Sequence, residues 1–146
     1  QGEIQLEVVV HTLILIDESH RWVNAKKAFA LDILGQYLRE GPKYFTGIWL
    51  ASQSIRDYTP EGSTSNEINQ LKVLFELAQY KFIFRQDSNT IPIIDQVFNN
   101  SLTYSQRERI PRLERGETIL CISGDRNIAF KVFLSKADEK LFAGGA

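Results

Sequence analysis

Residues 12–20 read Thr-Leu-Ile-Leu-Ile-Asp-Glu-Ser-His, so an apolar run ends in two adjacent carboxylates, Asp17 and Glu18. The β-branched residues before this pair predict a strand over residues 8–16 that is buried on both faces. In open α/β folds, ligands bind beyond the carboxyl ends of the strands. The stretch therefore predicts a polar site where the first strand ends.

The same stretch fits the Walker B pattern of nucleoside triphosphatases. Asp17 would hold Mg²⁺ mostly through water, because Mg²⁺ dehydrates reluctantly. The backbone turns at the end of a strand, so Glu18 would face the γ-phosphate and polarise the attacking water. Two alternatives stay open. Asp17 would merely cap the next helix, or Asp-Glu-Ser-His would be the DExH box of a helicase.

A second polar side chain follows the next predicted strand, in the sequence Ile-Trp-Leu-Ala-Ser-Gln-Ser-Ile-Arg-Asp of residues 48–57. Many multimeric ATPases place a sensor on the strand beside Walker B. Gln53 would there hydrogen-bond the γ-phosphate or the attacking water. A strand-end glutamine alone is a weak signal, but its order after Asp17 and Glu18 favours the sensor role. A helicase would carry Ser-Ala-Thr instead of Ala-Ser-Gln, which disfavours that alternative.

Strand and helix patterns alternate along the chain, which predicts an α/β fold. We expect a largely parallel sheet closed by an antiparallel hairpin, in one domain over residues 1–146. Trp22, Tyr37 and Trp49 lie within apolar patterns and are expected in the core. The predicted strands cover residues 8–16, 45–51, 80–84, 117–122 and 128–134, and the predicted helices cover residues 22–38, 67–79, 91–98, 104–113 and 136–142.

The composition excludes several classes of protein. The 17 basic and 18 acidic side chains give a net charge of −1, which argues against a basic nucleic-acid-coating protein and against an acidic tail. The single cysteine, Cys121, excludes an intrachain disulfide and a thiolate metal cluster. No apolar run approaches the ~20 residues of a membrane helix. The chain starts at Gln1 and contains no Met, so we expect a processed or excised piece.

The motifs together resemble the FtsK/HerA-type ATPases of conjugative transfer, and most closely the VirB-type ATPase of type IV secretion systems. The resemblance spans residues 13–141 and implies a RecA-like P-loop NTPase fold that uses ATP and Mg²⁺. It implies Asp17 as the Mg²⁺ ligand, Glu18 as the catalytic base and Gln53 as the sensor that contacts ATP. The stretches that carry it are residues 15–21, 50–57, 81–86 (Lys-Phe-Ile-Phe-Arg-Gln) and 113–132 (LERGETILCISGDRNIAFKV).

One motif of that family has no counterpart here, the Walker A loop G-x-x-x-x-G-K-[ST]. In the family this loop lies upstream of Walker B and cradles the phosphates. We therefore expect the chain to be the C-terminal portion of an ATPase domain that alone neither binds ATP tightly nor hydrolyses it. A non-catalytic interaction module with an ATPase-like fold is the alternative.

Such ATPases usually work as rings in which an arginine of one subunit reaches its neighbour's site. The candidates are Arg85, at a strand end, and Arg126, in a hairpin turn. Alternatively, Arg85 pairs with Asp87 or Glu76, and Arg126 is a solvated turn residue. The resemblance also implies other secretion or conjugation proteins as partners and a location at the inner face of the cell membrane, and it leaves direct DNA binding open.

The remaining polar residues are weaker indications of a functional site. Acidic residues interleave the basic run Arg107, Arg109, Arg112 and Arg115, so a solvated helix face is favoured over a nucleic-acid-binding stripe. His20 is expected as a polar wall of the site after Walker B.

The predicted sheet would lack one of the strands of a RecA-like sheet. RecA-like sheets place the strand before Walker A between the strands expected here at residues 45–51 and 80–84. This central strand is not in the chain, so two unpaired strand edges would remain. Residues 3–10 are the spare β-prone segment, and a second copy could supply them by swapping. We expect either a rearranged sheet or a dimer.

Overall fold

One parallel strand pair and two helices form the first part of the chain. The computed structural model describes residues 10–99, 101–122 and 126–142, and the chain divides after Ala78 into two compact units, each described here by itself. The two strands of the first unit run parallel, with Ile14 opposite Ile48. Its elements are β1 (Thr12–Ile16), α1 (Ala28–Glu40), β2 (Thr46–Leu50) and α2 (Ser65–Leu77).

Helices α1 and α2 supply much of the core of this unit. Leu31 and Leu34 of α1 and Leu71 and Leu74 of α2 are buried. Burying a leucine side chain fully contributes about 1.5–3 kcal/mol, so these four residues account for much of the unit's apolar stabilisation. The spacing of three residues within each pair is the helical spacing on which the sequence prediction of both helices rested.

The boundaries of both helices differ from the predicted ones. α2 begins at Ser65 rather than at residue 67 because a capping box forms before it. The Thr64 hydroxyl accepts a hydrogen bond from Glu67 N at 3.3 Å, and the Glu67 carboxylate accepts one from Thr64 N at 2.7 Å. The hydrogen bonds that the carboxylate accepts from Thr64 N and from the Thr64 hydroxyl hold the pKa of Glu67 below its ordinary value.

The β1–β2 sheet is more exposed than the sequence predicted. Leu13 and Leu15 are 53% and 66% exposed, and Trp49, which lies opposite Leu15, is 64% exposed. The prediction of strands buried on both faces is therefore wrong for the described residues, because this sheet has only two strands there and its Leu13–Trp49 face is open. Trp22 is also exposed, whereas Tyr37 is half-buried.

The second unit contains a three-stranded antiparallel sheet in the order β3–β4–β5. Tyr80 lies opposite Ile122, which in turn lies opposite Arg126. The elements are β3 (Tyr80–Ile83), α3 (Ile91–Val97), α4 (Tyr104–Arg109), β4 (Glu117–Ile122), β5 (Arg126–Lys131) and α5 (Lys136–Phe142).

The fold is thus mixed α/β, as predicted, but the described strands do not form one largely parallel sheet. Parallel pairing is confined to β1 and β2, because β3 hydrogen-bonds to β4, which runs the opposite way. β2 and β3 are each an edge strand of their own sheet in this part of the chain.

Apolar side chains from α3, from the 3₁₀ helix Ile110–Arg112 and from β4 contribute to the core of the second unit. α4 ends at Arg109 rather than at the predicted residue 113, and a 3₁₀ helix containing Pro111 follows it. Cys121 is buried, as predicted, and its burial raises the pKa of the thiol. The buried residues include Ile94, Val97, Ile110, Leu113 and Ile119.

Parts of three predictions lie outside the described residues: the spare β-prone segment at residues 3–9, the hairpin turn at residues 123–125 and the chain end at residues 143–146. No helix within the described ranges combines the length and the apolar character that crossing a membrane requires.

Candidate active site

The parallel strands β1 and β2 end at the same edge of their sheet. Ile16 lies opposite Leu50, and the hydrogen bonding continues beyond the strands. Ala51 N donates to Ile16 O at 2.9 Å, and Ser19 N donates to Ala51 O at 2.8 Å. The segments that leave the two strands therefore run side by side, and they carry the predicted carboxylate pair and the predicted sensor.

Glu18 adopts a left-handed backbone conformation, with φ of 48° and ψ of 41°. This conformation costs a non-glycine residue roughly 1–2 kcal/mol. Asp17 supports the turn, since its Oδ1 accepts a hydrogen bond from Glu18 N at 2.8 Å. The 3₁₀ helix Ser19–Arg21 that follows has no side-chain cap, so the alternative in which Asp17 caps the next helix is wrong.

The turn brings the Glu18 carboxylate to Gln53. Gln53 donates a hydrogen bond from Nε2 to Glu18 Oε1 at 2.7 Å. The Glu18 side chain is 28% exposed, and Gln53 is exposed. Two residues that the sequence placed at the ends of separate strands thus form one polar pair that solvent can reach.

His20 contacts the other oxygen of the same carboxylate. Its Nδ1 lies 3.4 Å from Glu18 Oε2 and 3.0 Å from the Ser52 hydroxyl. The Ser52 hydroxyl in turn lies within hydrogen-bonding distance of Ser54 O, at 3.3 Å. The imidazole therefore joins the segment after β1 to the segment after β2.

Ser19 and Tyr58 form a buried polar contact behind the site. Ser19 is fully buried, and its hydroxyl donates to Ala51 O at 2.9 Å and hydrogen-bonds the Tyr58 hydroxyl. The Tyr58 ring stacks edge-on against Phe75 of α2, with ring centroids 5.3 Å apart, and Tyr58 O accepts from Ala25 N. Burial raises the pKa of Tyr58 above its ordinary value of 10.0. These contacts anchor both ends of the segment from Ala51 to Tyr58, which carries Gln53.

Ser19, Ser52 and Tyr58 are not among the predicted site residues. Their contacts join positions 32 and 39 residues apart in the chain. The signal available was weak, namely a serine within three residues after each predicted strand end.

The two candidate arginines lie at opposite ends of the β3–β4–β5 sheet. Arg126 begins β5 at the end where Tyr80 and Ile122 pair, whereas Arg85 follows Ile83 at the far end of β3. Both are exposed, and among the described residues neither forms an ion pair. The alternative in which Arg85 pairs with an acidic side chain is therefore not seen.

The basic run near α4 is largely neutralised by neighbouring carboxylates. Arg107 Nε lies 2.9 Å from Asp95, and Arg109 lies 3.6 Å from Glu117. Arg112 lies 3.6 Å from Glu108, one helical turn away. The exposed Arg109 and Arg112 support the interpretation of a solvated, mixed-charge face, whereas the Arg107–Asp95 pair is half-buried.

The donor set at the strand edge fits a weakly held Mg²⁺. Asp17 is exposed, and its Oδ1 accepts the Glu18 N–H, so Oδ2 is the oxygen that could face a cation. No group of three or more His, Cys, Asp or Glu side chains within the described ranges could hold a metal by itself. Mg²⁺ typically binds one or two carboxylates and keeps several waters, so a single carboxylate is compatible with it.

Two comparisons with known proteins bear on this site. The chain is 30% identical over 147 residues to the uncharacterized protein pXO2-09 of Bacillus anthracis, and the match covers 99% of this chain and 22% of that protein. No family model matches the sequence.

The structure is similar to that of VirB4 of Thermoanaerobacter pseudethanolicus, with a TM-score of 0.70 and 18% sequence identity. The match covers 89% of this chain and 33% of that one. The chain therefore spans about a fifth of the curated relative and a third of the VirB4 chain, and it has a VirB4-like fold.

Proposed function

We propose that the chain belongs to the ATPase domain of a VirB-type motor, in which ATP hydrolysis by the intact protein drives macromolecular transfer in type IV secretion or conjugation. The observation that carries this proposal is the contact between Glu18 Oε1 and Gln53 Nε2 at the carboxyl edge of a parallel strand pair. The VirB4-like fold supports it. The order of the motifs in the sequence supports it independently.

Each residue of the edge has a distinct chemical role in this proposal. Asp17 would hold Mg²⁺, which when bound supplies positive charge to the phosphate oxygens. The Glu18 carboxylate would orient a water molecule and accept its proton. Gln53 would hold the Glu18 carboxylate through its amide N–H groups. It would also sense the γ-phosphate or the attacking water.

The proposal extends to the assembly. The intact protein would form a homo-oligomeric ring at the inner face of the cell membrane, held there by other secretion or conjugation proteins. Arg85 or Arg126 would enter the site of the neighbouring subunit. DNA is a candidate substrate of the motor, and the paired arginines of α4 and of the 3₁₀ helix after it do not favour this region as its binding surface.

Substitution of the two carboxylates in the longer protein tests the proposal. Glu18→Gln keeps the side-chain shape but removes the base, so ATP binding should persist while turnover falls on the order of 10²-fold or more. Asp17→Asn should instead weaken Mg²⁺-dependent ATP binding. Glu61→Gln and Asp32→Asn, at exposed positions of the same unit, serve as matched controls. Parental turnover by Glu18→Gln would show that the Walker B assignment is wrong.

A non-catalytic interaction module is the second candidate, and the lack of a Walker A loop in this sequence favours it. Calorimetry separates the two on the longer protein. ATP binding that needs Mg²⁺ and Asp17 supports the motor, whereas the absence of ATP binding and turnover supports the module. For the chain of 146 residues by itself, both candidates predict no micromolar ATP affinity.

A further inference from the structure

Both oxygens of the Glu18 carboxylate have a nitrogen neighbour. Gln53 Nε2 donates to Oε1 at 2.7 Å, and His20 Nδ1 lies 3.4 Å from Oε2. A carboxylate held at one oxygen can still swing about that contact. A second contact on the other oxygen restricts this swing and fixes the plane of the carboxylate.

The neighbours of the His20 ring determine where its proton lies. The Glu18 carboxylate only accepts hydrogen bonds. The Ser52 hydroxyl has one hydrogen, which it donates to Ser54 O at 3.3 Å, so it accepts from His20 Nδ1 at 3.0 Å. The Ser52 contact therefore requires a hydrogen on Nδ1, and a hydrogen there also favours the Glu18 carboxylate 3.4 Å away. Within the described part of the chain, Nε2 has no hydrogen-bond partner.

The ring is held in place independently of Glu18. Its side chain is only 22% exposed, and the ring lies edge-on to Tyr58 with centroids 6.5 Å apart. His20 O accepts a hydrogen bond from the Asn24 side chain at 3.0 Å, and Tyr58 is itself bonded to the buried Ser19. A ring anchored in this way can impose a position on the carboxylate rather than follow it.

We propose that His20 is a positioning residue, which hydrogen-bonds Ser52 through Nδ1–H, holds that N–H group close to the Glu18 carboxylate and so fixes the carboxylate relative to the end of β2. The proposal rests on the proposed function, since it gives the carboxylate of that site its orientation. His20 itself touches neither the nucleotide nor the water in this account. It acts through Glu18, and Ser52 makes its position depend on the segment that carries Gln53.

The tautomer of His20 provides a test that needs no catalytic activity. Nitrogen-15 NMR of the imidazole rings in the chain distinguishes Nδ1–H from Nε2–H, and since there are only two histidines, His11→Gln assigns the signals of His20. We expect the hydrogen on Nδ1, and a smaller share of the Nδ1–H form in Glu18→Ala. A parent chain with the hydrogen on Nε2 would overturn the proposal.

Amide substitutions test the positioning role in the longer protein. The Asn side chain places its N–H₂ near the position of Nδ1, whereas the Gln side chain places it near that of Nε2. His20→Ala and His20→Gln should each lower kcat about tenfold, the effect of one lost hydrogen bond, with KM for ATP unchanged. His20→Asn should restore kcat to within about threefold of the parent, because it keeps the Nδ1-side donor.

The outcomes separate this inference from the proposed function. If Glu18→Gln retains turnover, the proposed function is wrong. If Glu18→Gln loses turnover while His20→Ala and His20→Gln retain it, the function stands and the positioning role is wrong. Equal losses in His20→Asn and His20→Gln would also overturn the role, because a general disturbance of the fold would not distinguish the two ring nitrogens.

Discussion

Gln53 Nε2 donates a hydrogen bond to Glu18 Oε1 at 2.7 Å, although the two residues lie 35 positions apart in the chain. A carboxylate has no hydrogen to donate, so the contact assigns the NH₂ end of the amide to Glu18 and turns the amide oxygen away from it. The parallel pairing of β1 and β2 makes this contact possible, because it brings both strand ends to one edge.

Gln53→Ala should slow ATP turnover in the longer protein. The substitution removes the 2.7 Å contact and leaves the Glu18 carboxylate without its Nε2 donor, so we expect kcat to fall about tenfold with little change in KM. Gln36→Ala is the matched control, since Gln36 is exposed and its side chain, within the described ranges, hydrogen-bonds only Glu40 on its own helix. Parental kcat in Gln53→Ala, together with an inactive Glu18→Gln, would contradict the sensor role.

Tyr58→Phe should destabilise the chain by about 1 kcal/mol, the net contribution of one hydrogen bond. The cost stays small because the Ser19 hydroxyl keeps its hydrogen bond to Ala51 O. Urea denaturation measures the free energy of unfolding. Tyr104→Phe, at a position 76% exposed, should change it by less than about 0.5 kcal/mol. Equal values for the two variants would show that the buried contact contributes nothing.

Because the Tyr58 hydroxyl is buried, we expect the chain to lose stability in alkali. Burial raises the pKa of Tyr58 above 10.0 in the folded chain, so the folded state favours the neutral phenol. This contribution is complete below the unfolded pKa and is lost as pH rises from there through the folded pKa. The difference in unfolding free energy between the parent and Tyr58→Phe should therefore shrink above about pH 10. A constant difference up to about pH 11 would argue against a buried, neutral Tyr58.

Local patterns determined much of the fold. The strand Glu117–Ile122 and the helix Lys136–Phe142 match the predicted ranges, because alternation and helical spacing are properties of neighbouring residues. The predicted helix over residues 22–38 begins only at Ala28. Its first residues are instead used in tertiary contacts, in which Val23 and Ala25 are buried and Ala25 N bonds Tyr58 O.

The candidate site was only partly predictable, because several of its contacts join residues that are distant in the sequence. Motif order pointed to Glu18 and Gln53, and parallel pairing brings them together. The contacts of Ser19, His20 and Ser52 depend on how the segments after β1 and β2 pack against each other at the sheet edge. The sequence of either segment alone does not specify this packing. Exposure of Trp49 could not be predicted either, since a period of two does not tell which face is covered.

One of the two candidate arginines, and not both, should be needed by a neighbouring subunit. They lie at opposite ends of one sheet, so a single contact edge would present only one of them. In the longer protein, the required arginine changed to Ala should lower turnover by roughly 10³-fold or more and spare ATP binding. Mixing that variant with Glu18→Gln should restore part of the activity, because a mixed ring contains sites with both groups intact. Failure of both arginine variants to lose turnover would exclude a role in trans for either.

The chain should self-associate through the exposed β1–β2 sheet. Each of these strands has an unpaired edge in the described part of the chain, and the open face carries Leu13, Leu15 and Trp49. Unpaired edges and contiguous apolar faces favour association with a second copy. Trp49→Lys places a charge on this face and should raise the dimer dissociation constant about tenfold or more, as measured by analytical ultracentrifugation.

Trp22→Lys is the matched control for this prediction. Trp22 is 68% exposed, compared with 64% for Trp49, but it follows the 3₁₀ helix Ser19–Arg21 and belongs to neither strand. Both substitutions replace an exposed indole with an ammonium group, so they have the same effect on net charge and a similar effect on surface hydrophobicity. A specific sheet contact predicts that only Trp49→Lys weakens the dimer. Equal weakening would indicate non-specific association, and a parent chain that stays monomeric at about 100 μM would rule out the dimer and favour a rearranged sheet.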